Sequence, residues 1–149
     1  QDPGNVKAKV GYGGGDFTLA HGKIAFVADD GRIYLQDVEQ GQARAITPGF
    51  GLASSPCFSP SGNQIVYVHQ HEGNDVLALV NTEGDQWPQI LFSKSDFVMQ
   101  PTWSSDEKEI AFIVWNHPQM PWDGSELLLY DIESKKISSL CGTNEEKYF

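Results

Sequence analysis

Residues 55–68 read SPCFSPSGNQIVYV, and residues 100–113 read QPTWSSDEKEIAFI. The two stretches match with a constant offset of 45 positions, which places Trp103 opposite Phe58. A weaker copy precedes them, in which Phe17 lies 41 positions before Phe58. A period of this size is typical of repeat architectures in which each unit is one supersecondary structure. The sequence therefore predicts three tandem units.

Each unit continues from this stretch through two further apolar runs that are separated by turns. The runs are short and rich in Ile, Val, Leu, Tyr and Phe, and they are bounded by pairs such as Ser61-Gly62 and Glu83-Gly84. This pattern is typical of antiparallel strands joined by hairpins. No window of ten or more residues has helical spacing of its apolar residues, so no long helix is expected. The runs cover residues 33–38, 76–82 and 127–132, then 43–47, 89–92 and 137–140.

Four short strands per unit, repeated in tandem, are typical of the blades of a β-propeller. The sequence therefore predicts one all-β domain, a partial propeller of about three four-stranded antiparallel blades. Because a blade has two apolar faces, an arc of three blades leaves a face at each end that needs a cover. We expect that cover to be another copy, a partner or the remainder of the parent chain. The predicted blades cover residues 12–50, 51–95 and 96–143 of the single domain 1–149, and residues 144–149 begin a further blade.

The charge of the chain limits its partners. Ten Lys and Arg against 20 Asp and Glu give a formal charge of −10, which disfavours nucleic acid and anionic membrane surfaces. No apolar run approaches the roughly 20 residues of a membrane-spanning helix. We expect a cytoplasmic chain. Because the sequence begins with Gln1 rather than Met, we also expect an upstream portion to have been removed, which leaves the parent's compartment open.

Cysteine and histidine residues provide few candidate sites. Cys57 and Cys141 cannot build a disulfide framework, and neither has a second thiol at metal-binding spacing, so we expect buried or inert thiols. His69 and His71 project from one face of a predicted strand. They would hold a metal only with a third ligand, Glu72 or Asp75, and the alternative is an exposed strand end. We expect no metal and no cofactor.

Two other features allow chemistry but also have plain structural explanations. Residues 11–15 read GYGGG, yet they lack the remaining residues of a dinucleotide fingerprint or a P-loop. A tight loop entering the first blade is favoured, because glycine permits bends that are closed to other residues. The acidic pairs Asp29-Asp30 and Glu145-Glu146 suit solvated turns as well as the paired carboxylates of a glycosidase.

Two stretches of the sequence resemble known propellers. Residues 55–68 are similar to the repeat of TolB-type and peptidase-type propellers. Residues 115–127, WNHPQMPWDGSEL, resemble a more specific run in the propeller domain of prolyl oligopeptidase family serine peptidases, in the acylaminoacyl-peptidase and dipeptidyl-aminopeptidase-like branch. They depart from that run only at Gln119 and Ser125.

The resemblance extends over nearly the whole chain. Residues 12–17, YGGGDF, and the pair Asp96-Phe97 match further family positions. The repeat departs from the usual P-D-G turn at residues 105–107 and has Ser61 where the family has Asp. These departures loosen the turn chemistry but leave the strand pairing in place.

Membership of this family implies a propeller that stands over an α/β-hydrolase domain. Such a propeller filters access to a Ser-Asp-His site and helps to bind the peptide. Acyl transfer requires a G-x-S-x-G nucleophile elbow, and no serine of this sequence lies between two such glycines. We therefore expect no catalytic residue in this chain, and we expect its partners to be the hydrolase domain of the parent and the peptide substrate.

The candidate functional segment is the insertion, residues 115–126, which joins the second and third strands of the third unit. Large apolar groups are costly to leave in water, and aromatic anchors are typical of contact surfaces. We expect the insertion to contact the hydrolase domain or frame a cavity; the alternative is that both tryptophans fold back on their own blade. A lone histidine here more often caps a loop than acts as a base. The candidate contact residues are Trp115, Asn116, His117, Pro118, Met120, Pro121, Trp122 and Asp123.

The functional expectation is thus a non-catalytic propeller portion of a prolyl oligopeptidase family peptidase, which gates and helps to bind peptide for a hydrolase domain outside this sequence. One alternative is a TolB-like protein-interaction propeller with no attached hydrolase. A further alternative is self-association through the exposed blade faces, in which two arcs close into a ring of six blades.

Overall fold

The computed structural model describes residues 4–7, 9 and 15–142. In this part of the chain, twelve strands form three antiparallel sheets of four strands each, joined up and down in chain order. A single turn of helix, α1 (Pro121–Gly124), lies in the third sheet's connection. The strands are β1 (Phe17–Ala20), β2 (Lys23–Val27), β3 (Ile33–Asp37), β4 (Arg44–Ala45), β5 (Leu52–Phe58), β6 (Gln64–His71), β7 (Asn74–Asn81), β8 (Gln89–Phe92), β9 (Phe97–Trp103), β10 (Glu109–Trp115), β11 (Glu126–Asp131) and β12 (Ile137–Cys141).

The sheets stack face to face in the way that blades do. The first sheet is β1–β4, the second is β5–β8 and the third is β9–β12. One apolar core lies between the first and second sheets, and another lies between the second and third. The first strands β1, β5 and β9 contact one another in sequence. The predicted fold class, an all-β partial propeller with three four-stranded antiparallel blades, is confirmed.

Strand β6 shows why a blade needs a neighbour on each side. Ile65 and Tyr67 point into the first core, and Val66 and Val68 point into the second. None of the four is more than 2% exposed. Successive strand residues point to opposite faces, so an unbroken apolar run produces a sheet that is apolar on both sides.

The two end sheets each present one face that no other described sheet covers. On the first sheet, Phe17 and Leu19 are 57% and 58% exposed. On the third sheet, Ala111 and Ile113 of β10 are partly exposed, whereas their neighbours Ile110 and Phe112 are buried in the second core. The two end faces therefore remain apolar and open in this structure.

The hairpins keep their register despite the departures from the usual turn. Ile65 pairs with Phe58 and Ile110 pairs with Trp103, as the repeat predicts. Gly62 has a φ of +77°, and in the third sheet Glu107 adopts a φ of +59° in the corresponding turn. The pairing is thus retained with a side chain in a backbone conformation that glycine adopts more readily.

Side chains link the sheets at these hairpins. The ring Nε2 of His21, in the β1–β2 hairpin, lies 2.7 Å from the carbonyl oxygen of Pro60. Arg44 donates through Nη1 to the carbonyl oxygen of Glu83, at 2.7 Å. The first and second sheets are therefore joined by side-chain hydrogen bonds at the end of the sheets where these hairpins lie.

The outermost strand of the third sheet corrects one expectation. All five residues of β12 are exposed, because β12 forms the edge of its sheet and packs against no further sheet among the described residues. Of the two alternatives expected for the cysteines, buried or inert, burial is therefore wrong for Cys141, which is exposed; an inert thiol stays a prediction there. Cys57 is partly buried, and burial raises the pKa of its thiol.

The helix content of the described residues is limited to α1, which has four residues. A span of the hydrocarbon core takes about 20 residues in helical form. In the part of the chain that the structure describes, no helix is therefore long and apolar enough to cross a membrane.

Tyr67 offers a test of the packing. Its side chain is fully buried, burial raises its pKa well above the ordinary value, and its hydroxyl has no hydrogen-bond partner among the described residues. A buried polar group without a partner costs roughly 1–3 kcal/mol. We expect Tyr67→Phe to raise the free energy of unfolding by about 1 kcal/mol, as measured by urea denaturation.

Tyr34→Phe is the matched control, because the hydroxyl of Tyr34 donates a 2.8 Å hydrogen bond to Asp30. Loss of that bond should lower the free energy of unfolding. Equal destabilisation by both substitutions would contradict the assignment of an unsatisfied hydroxyl to Tyr67.

Candidate functional site

The insertion lies at one end of the stacked sheets, which we call the insertion end. Because each sheet runs up and down in chain order, its second and third strands are joined at this end in all three sheets. In the second sheet, residues 72–73 make the connection. In the third sheet, residues 116–125 make it, and they include α1. The connection in the third sheet is thus the longer one at the insertion end.

A reciprocal set of hydrogen bonds holds the start of the insertion. The backbone N–H of Asp96 donates to Oδ1 of Asn116 at 2.8 Å. The backbone N–H of His117 donates to Oδ2 of Asp96 at 2.8 Å, and the ring Nδ1 of His117 lies 3.2 Å from the same oxygen. These contacts, the backbone bond foremost, lower the pKa of the Asp96 carboxyl. His117 therefore caps a loop rather than serving as an isolated base.

The two tryptophans of the insertion have opposite environments. Trp115, the last residue of β10, is 2% exposed, and its ring stacks on Phe97 with centroids 5.0 Å apart and planes at 15°. Trp122, on α1, is 74% exposed. Trp115 therefore packs on its own blade, as the alternative expected for the insertion has it, and its buried ring presents no surface to a partner. For Trp122, contact with a partner stays a prediction.

The remaining candidate contact residues lie on the same segment as Trp122. The bond between His117 and Pro118 is cis. Pro121 occupies the start of α1, where a missing N–H is tolerated, and the N–H of Asp123 donates to the carbonyl of Met120 at 2.9 Å. A single helical turn of this length is too short to give a periodic signal in the sequence. Asn116, His117, Pro118 and Asp123 are exposed, and Met120 and Pro121 are partly exposed.

The insertion also covers a cavity between the second and third sheets. The cavity has a volume of about 310 Å³. Val114 and Leu128 contribute apolar groups to its lining, and Gln119 and Gly124 of the insertion line it as well. Part of the inserted chain therefore lines the third sheet's own groove.

The histidine pair of β6 does not form a metal site in the described chain. Nowhere in residues 4–7, 9 and 15–142 do three or more His, Cys, Asp or Glu side chains come together to hold a metal ion. His71 is exposed, but His69 is partly buried, and burial, together with the charge of His71, lowers the pKa of His69. The expectation of an exposed strand end is thus met by His71 and not by His69, whose ring lies against Phe50 at 5.4 Å between centroids.

The other candidate features are either turns or lie outside the described residues. Asp30 accepts hydrogen bonds from the backbone N–H of Arg32, at 3.0 Å, and from the hydroxyl of Tyr34. These contacts are those of a solvated turn. Residues 11–14 of the glycine-rich stretch, the pair Glu145-Glu146 and the predicted start of a further blade at residues 144–149 lie outside the described part of the chain.

Asp75 gives a prediction for pH dependence. This carboxylate is 5% exposed and accepts hydrogen bonds from Nε2 of Gln70, at 3.0 Å, and from the N–H of Val98, at 3.3 Å. Burial raises its pKa above the ordinary value of 3.8, although both hydrogen bonds oppose the shift. A raised pKa means that the folded state binds more protons, so the contribution of Asp75 to stability falls as pH rises above about 3.8.

We expect Asp75→Asn to be more stable relative to the wild-type chain at pH 7 than at pH 3. The side-chain amide introduced at position 75 can still accept a hydrogen bond from the N–H of Val98. It can also donate one to Gln70, once the side-chain amide of Gln70 has rotated to present its oxygen. Urea denaturation of both proteins between pH 3 and pH 7 measures the difference in their unfolding free energies. The contributions of the other carboxyl groups are the same in both proteins and cancel in this difference. If the difference in unfolding free energy between the two proteins does not change with pH, or changes in the opposite direction, the pKa of Asp75 is not raised in the folded state.

Comparison with known proteins supports the architecture. No family model matches the chain. The chain is similar to a solved puromycin-hydrolysing peptidase of Mycobacterium tuberculosis, with a TM-score of 0.80 and 22% identity over 99% of this chain and 27% of that one. It is also similar to the β-propeller domain of the trilobed protease of Pyrococcus furiosus (TM-score 0.63, 16% identity, 83% of this chain and 40% of that one). TolB of Acinetobacter baumannii matches with a TM-score of 0.70 and 19% identity over 87% of this chain and 32% of that one.

These similarities concern the fold, because sequence identity is low in all three. The chain spans about a quarter of the length of the mycobacterial peptidase. The three sheets therefore have the arrangement found in parts of larger propeller proteins.

Proposed function

We propose that this chain is the non-catalytic propeller portion of a prolyl oligopeptidase family serine peptidase. In this role it positions and admits peptide to a hydrolase domain that is outside the sequence. The observation that carries the proposal is the insertion WNHPQMPWDG at residues 115–124, which is held at its start by Asp96 and exposes Trp122 at the insertion end. The propeller fold and its similarity to peptidase propellers support it.

The partner of the insertion is the hydrolase domain in this proposal. Trp122 is a large aromatic side chain that is 74% exposed on a segment fixed by hydrogen bonds and prolines. Such rigid aromatic anchors often account for most of the binding energy of an interface. The open end faces of the first and third sheets are then covered by further blades of the same propeller, since each blade requires a neighbour on both sides.

A fluorophosphonate probe tests the association with a serine hydrolase. The protein is captured from its natural source with an antibody against this chain, treated with the probe and analysed by mass spectrometry. We expect a labelled serine on the polypeptide that contains these residues, or on one that remains bound to it. The 149-residue chain expressed alone serves as the control and should remain unlabelled. Recovery of the chain with no labelled serine on any polypeptide would refute the proposal.

A second experiment tests the contact made by Trp122. In the protein that carries the labelled serine, we expect Trp122→Ala to lower kcat/KM for peptide hydrolysis by about tenfold or more, because truncation of an interface tryptophan costs roughly 2 kcal/mol. Val38→Ala is the control, since Val38 is 58% exposed and directly follows β3 at the opposite end of the sheets. Equal effects of the two substitutions would contradict a specific role for the insertion.

The TolB-like alternative, a protein-interaction propeller without a hydrolase, has the support of the similarity to TolB. It differs from the peptidase proposal in its prediction for the same probe experiment, in which no serine would be labelled. Closure of two arcs into a ring would instead give a stable dimer of the isolated chain, which sedimentation measures directly.

A further inference from the structure

A second cavity opens at the insertion end, on the face of the second sheet that is turned towards the first sheet. Its volume is about 500 Å³, within the range of ligand pockets. Phe50, Val76 and Ile90 supply apolar groups to its wall, and His71 stands beside them. The cavity belongs neither to the insertion nor to the two buried cores.

Short elements lie on both sides of this cavity. Strand β4, at the edge of the first sheet, has only two residues, Arg44–Ala45. The connection that follows β6 has two residues, 72–73, and cannot fold over the groove. In the neighbouring groove between the second and third sheets, Gln119 and Gly124 of the insertion line the cavity from the same end. The insertion thus adds residues to the wall of one groove, whereas the connection beside the other groove has only two residues.

The wall of the open cavity is aromatic and aliphatic. Phe50 makes edge-on contacts with His69 and His71, with ring centroids 5.4 and 5.5 Å apart. Phe50 is 47% exposed and Ile90 is 61% exposed. Removal of large apolar side chains from water is favourable, so a ligand that covers both gains affinity from apolar contact. Because burial lowers the pKa of His69, that ring adds a neutral aromatic surface at physiological pH.

The mouth of the cavity is polar. Asn74, Ser93 and Ser95 line it with amide and hydroxyl groups, and Lys94 lies between the two serines. The Asp96 carboxylate, also at this edge, is held by His117. Amide and hydroxyl groups around an apolar pocket suit a ligand that has an apolar group flanked by peptide bonds, because each main-chain N–H and C=O requires a hydrogen-bond partner.

We propose that this cavity binds an apolar side chain of a peptide, preferably an aromatic one, with the peptide main chain lying along the polar mouth. The identification of the ligand as a peptide rests on the proposed function. The cavity shares the Asp96 edge with the start of the insertion, so a peptide in this position lies next to the surface that carries Trp122. The site provides selectivity for side-chain size, because small side chains cannot cover Phe50 and Ile90 together.

Proton NMR of the histidine rings tests the proposal on the full 149-residue chain. The probes are the blocked tripeptides acetyl-Gly-Phe-Gly-amide and acetyl-Gly-Ala-Gly-amide. We expect the phenylalanine peptide to produce saturable ring-current shifts at His69 and His71. The alanine peptide should bind at least tenfold more weakly, since loss of a large apolar group from a pocket costs about 1–3 kcal/mol or more. His21 lies in the hairpin at the opposite end and serves as the internal reference.

Two matched substitutions locate the binding. Ile90→Lys should weaken binding of the phenylalanine peptide at least tenfold. Leu140→Lys should leave it unchanged, because Leu140 is 55% exposed on the outermost strand of another sheet. A His21 signal at its wild-type chemical shift shows that a variant is folded. If Ile90→Lys does not fold, Phe50→Ala replaces it, and binding of the phenylalanine peptide should again weaken at least tenfold.

Several results would overturn the proposal. These are equal affinity for the two peptides, unchanged affinity in the folded cavity variants, or shifts that appear on concentrating the chain alone, which would assign the cavity to a second copy. The outcome is separable from that of the proposed function. A labelled serine without peptide binding refutes the cavity assignment alone, and peptide binding without a labelled serine refutes the hydrolase association alone.

Discussion

Replacement of Trp115 by alanine is expected to lower the free energy of unfolding by about 3–5 kcal/mol. The ring is 2% exposed and stacks on Phe97 at 5.0 Å. Its removal leaves a cavity in the third sheet at the point where the insertion begins. Because single domains are stable by only about 5–15 kcal/mol, this loss is a large part of the total. Urea denaturation monitored by far-UV circular dichroism measures it.

Trp122→Ala is the internal control for this prediction. Trp122 is 74% exposed, and exposed substitutions usually change stability by about 0.5 kcal/mol or less. The pair of variants therefore separates the two roles considered for the insertion: Trp115 stabilises the blade, and Trp122 is available for contact. Similar loss of stability in both variants would show that Trp122 also packs on the protein.

Gly51→Ala is expected to have the second largest effect, a loss of about 2–5 kcal/mol of stability. Gly51 has a φ of +67°, in the left-handed region that disfavours other residues. A Cβ at this position would also lie 2.6 Å from the carbonyl oxygen of Gln70 and 2.5 Å from Nε2 of His69. The backbone of β6 cannot yield as a flexible side chain can, so the strand pairing of the second sheet must shift.

Gly73→Ala separates the two causes of that loss. Gly73 has a φ of +83°, and a Cβ there meets no atom within 4 Å. Its substitution should therefore cost only the conformational strain, about 1–2 kcal/mol. The excess cost at Gly51 measures the close approach of the β4–β5 connection to β6. If the two variants lose equal stability in urea titrations, the close approach contributes nothing.

The repeat in the sequence was sufficient to predict the sheets. A constant offset of 45 positions between two copies reports a periodic structure directly, and alternating strand residues that are apolar on both faces require stacked sheets. The bulges in the first strands were not predicted. Ser55 and Gln100, one period apart, both have positive φ and precede a proline. The signal was present, since a residue before proline avoids the right-handed helical region, but this restriction does not specify a bulge.

The candidate site was less accessible to sequence reasoning. The composition of the insertion indicated a contact segment, but it could not tell the buried Trp115 from the exposed Trp122, because both flank the same loop. The hydrogen bonds of Asp96 with Asn116 and His117 join residues about 20 positions apart, and only the stacking of strands brings them together. The open cavity was missed entirely. Its lining residues come from three strands and two connections, and only the folded chain brings them together.

The bonds of His21 to Pro60 and of Arg44 to Glu83 have a counterpart at the insertion end. There the backbone N–H of Ala53, on β5, donates to the carbonyl oxygen of Gly31 at 2.8 Å. The first and second sheets are therefore joined at both ends, which opposes rotation of one against the other. We expect the groove between them to keep its width when a ligand occupies it.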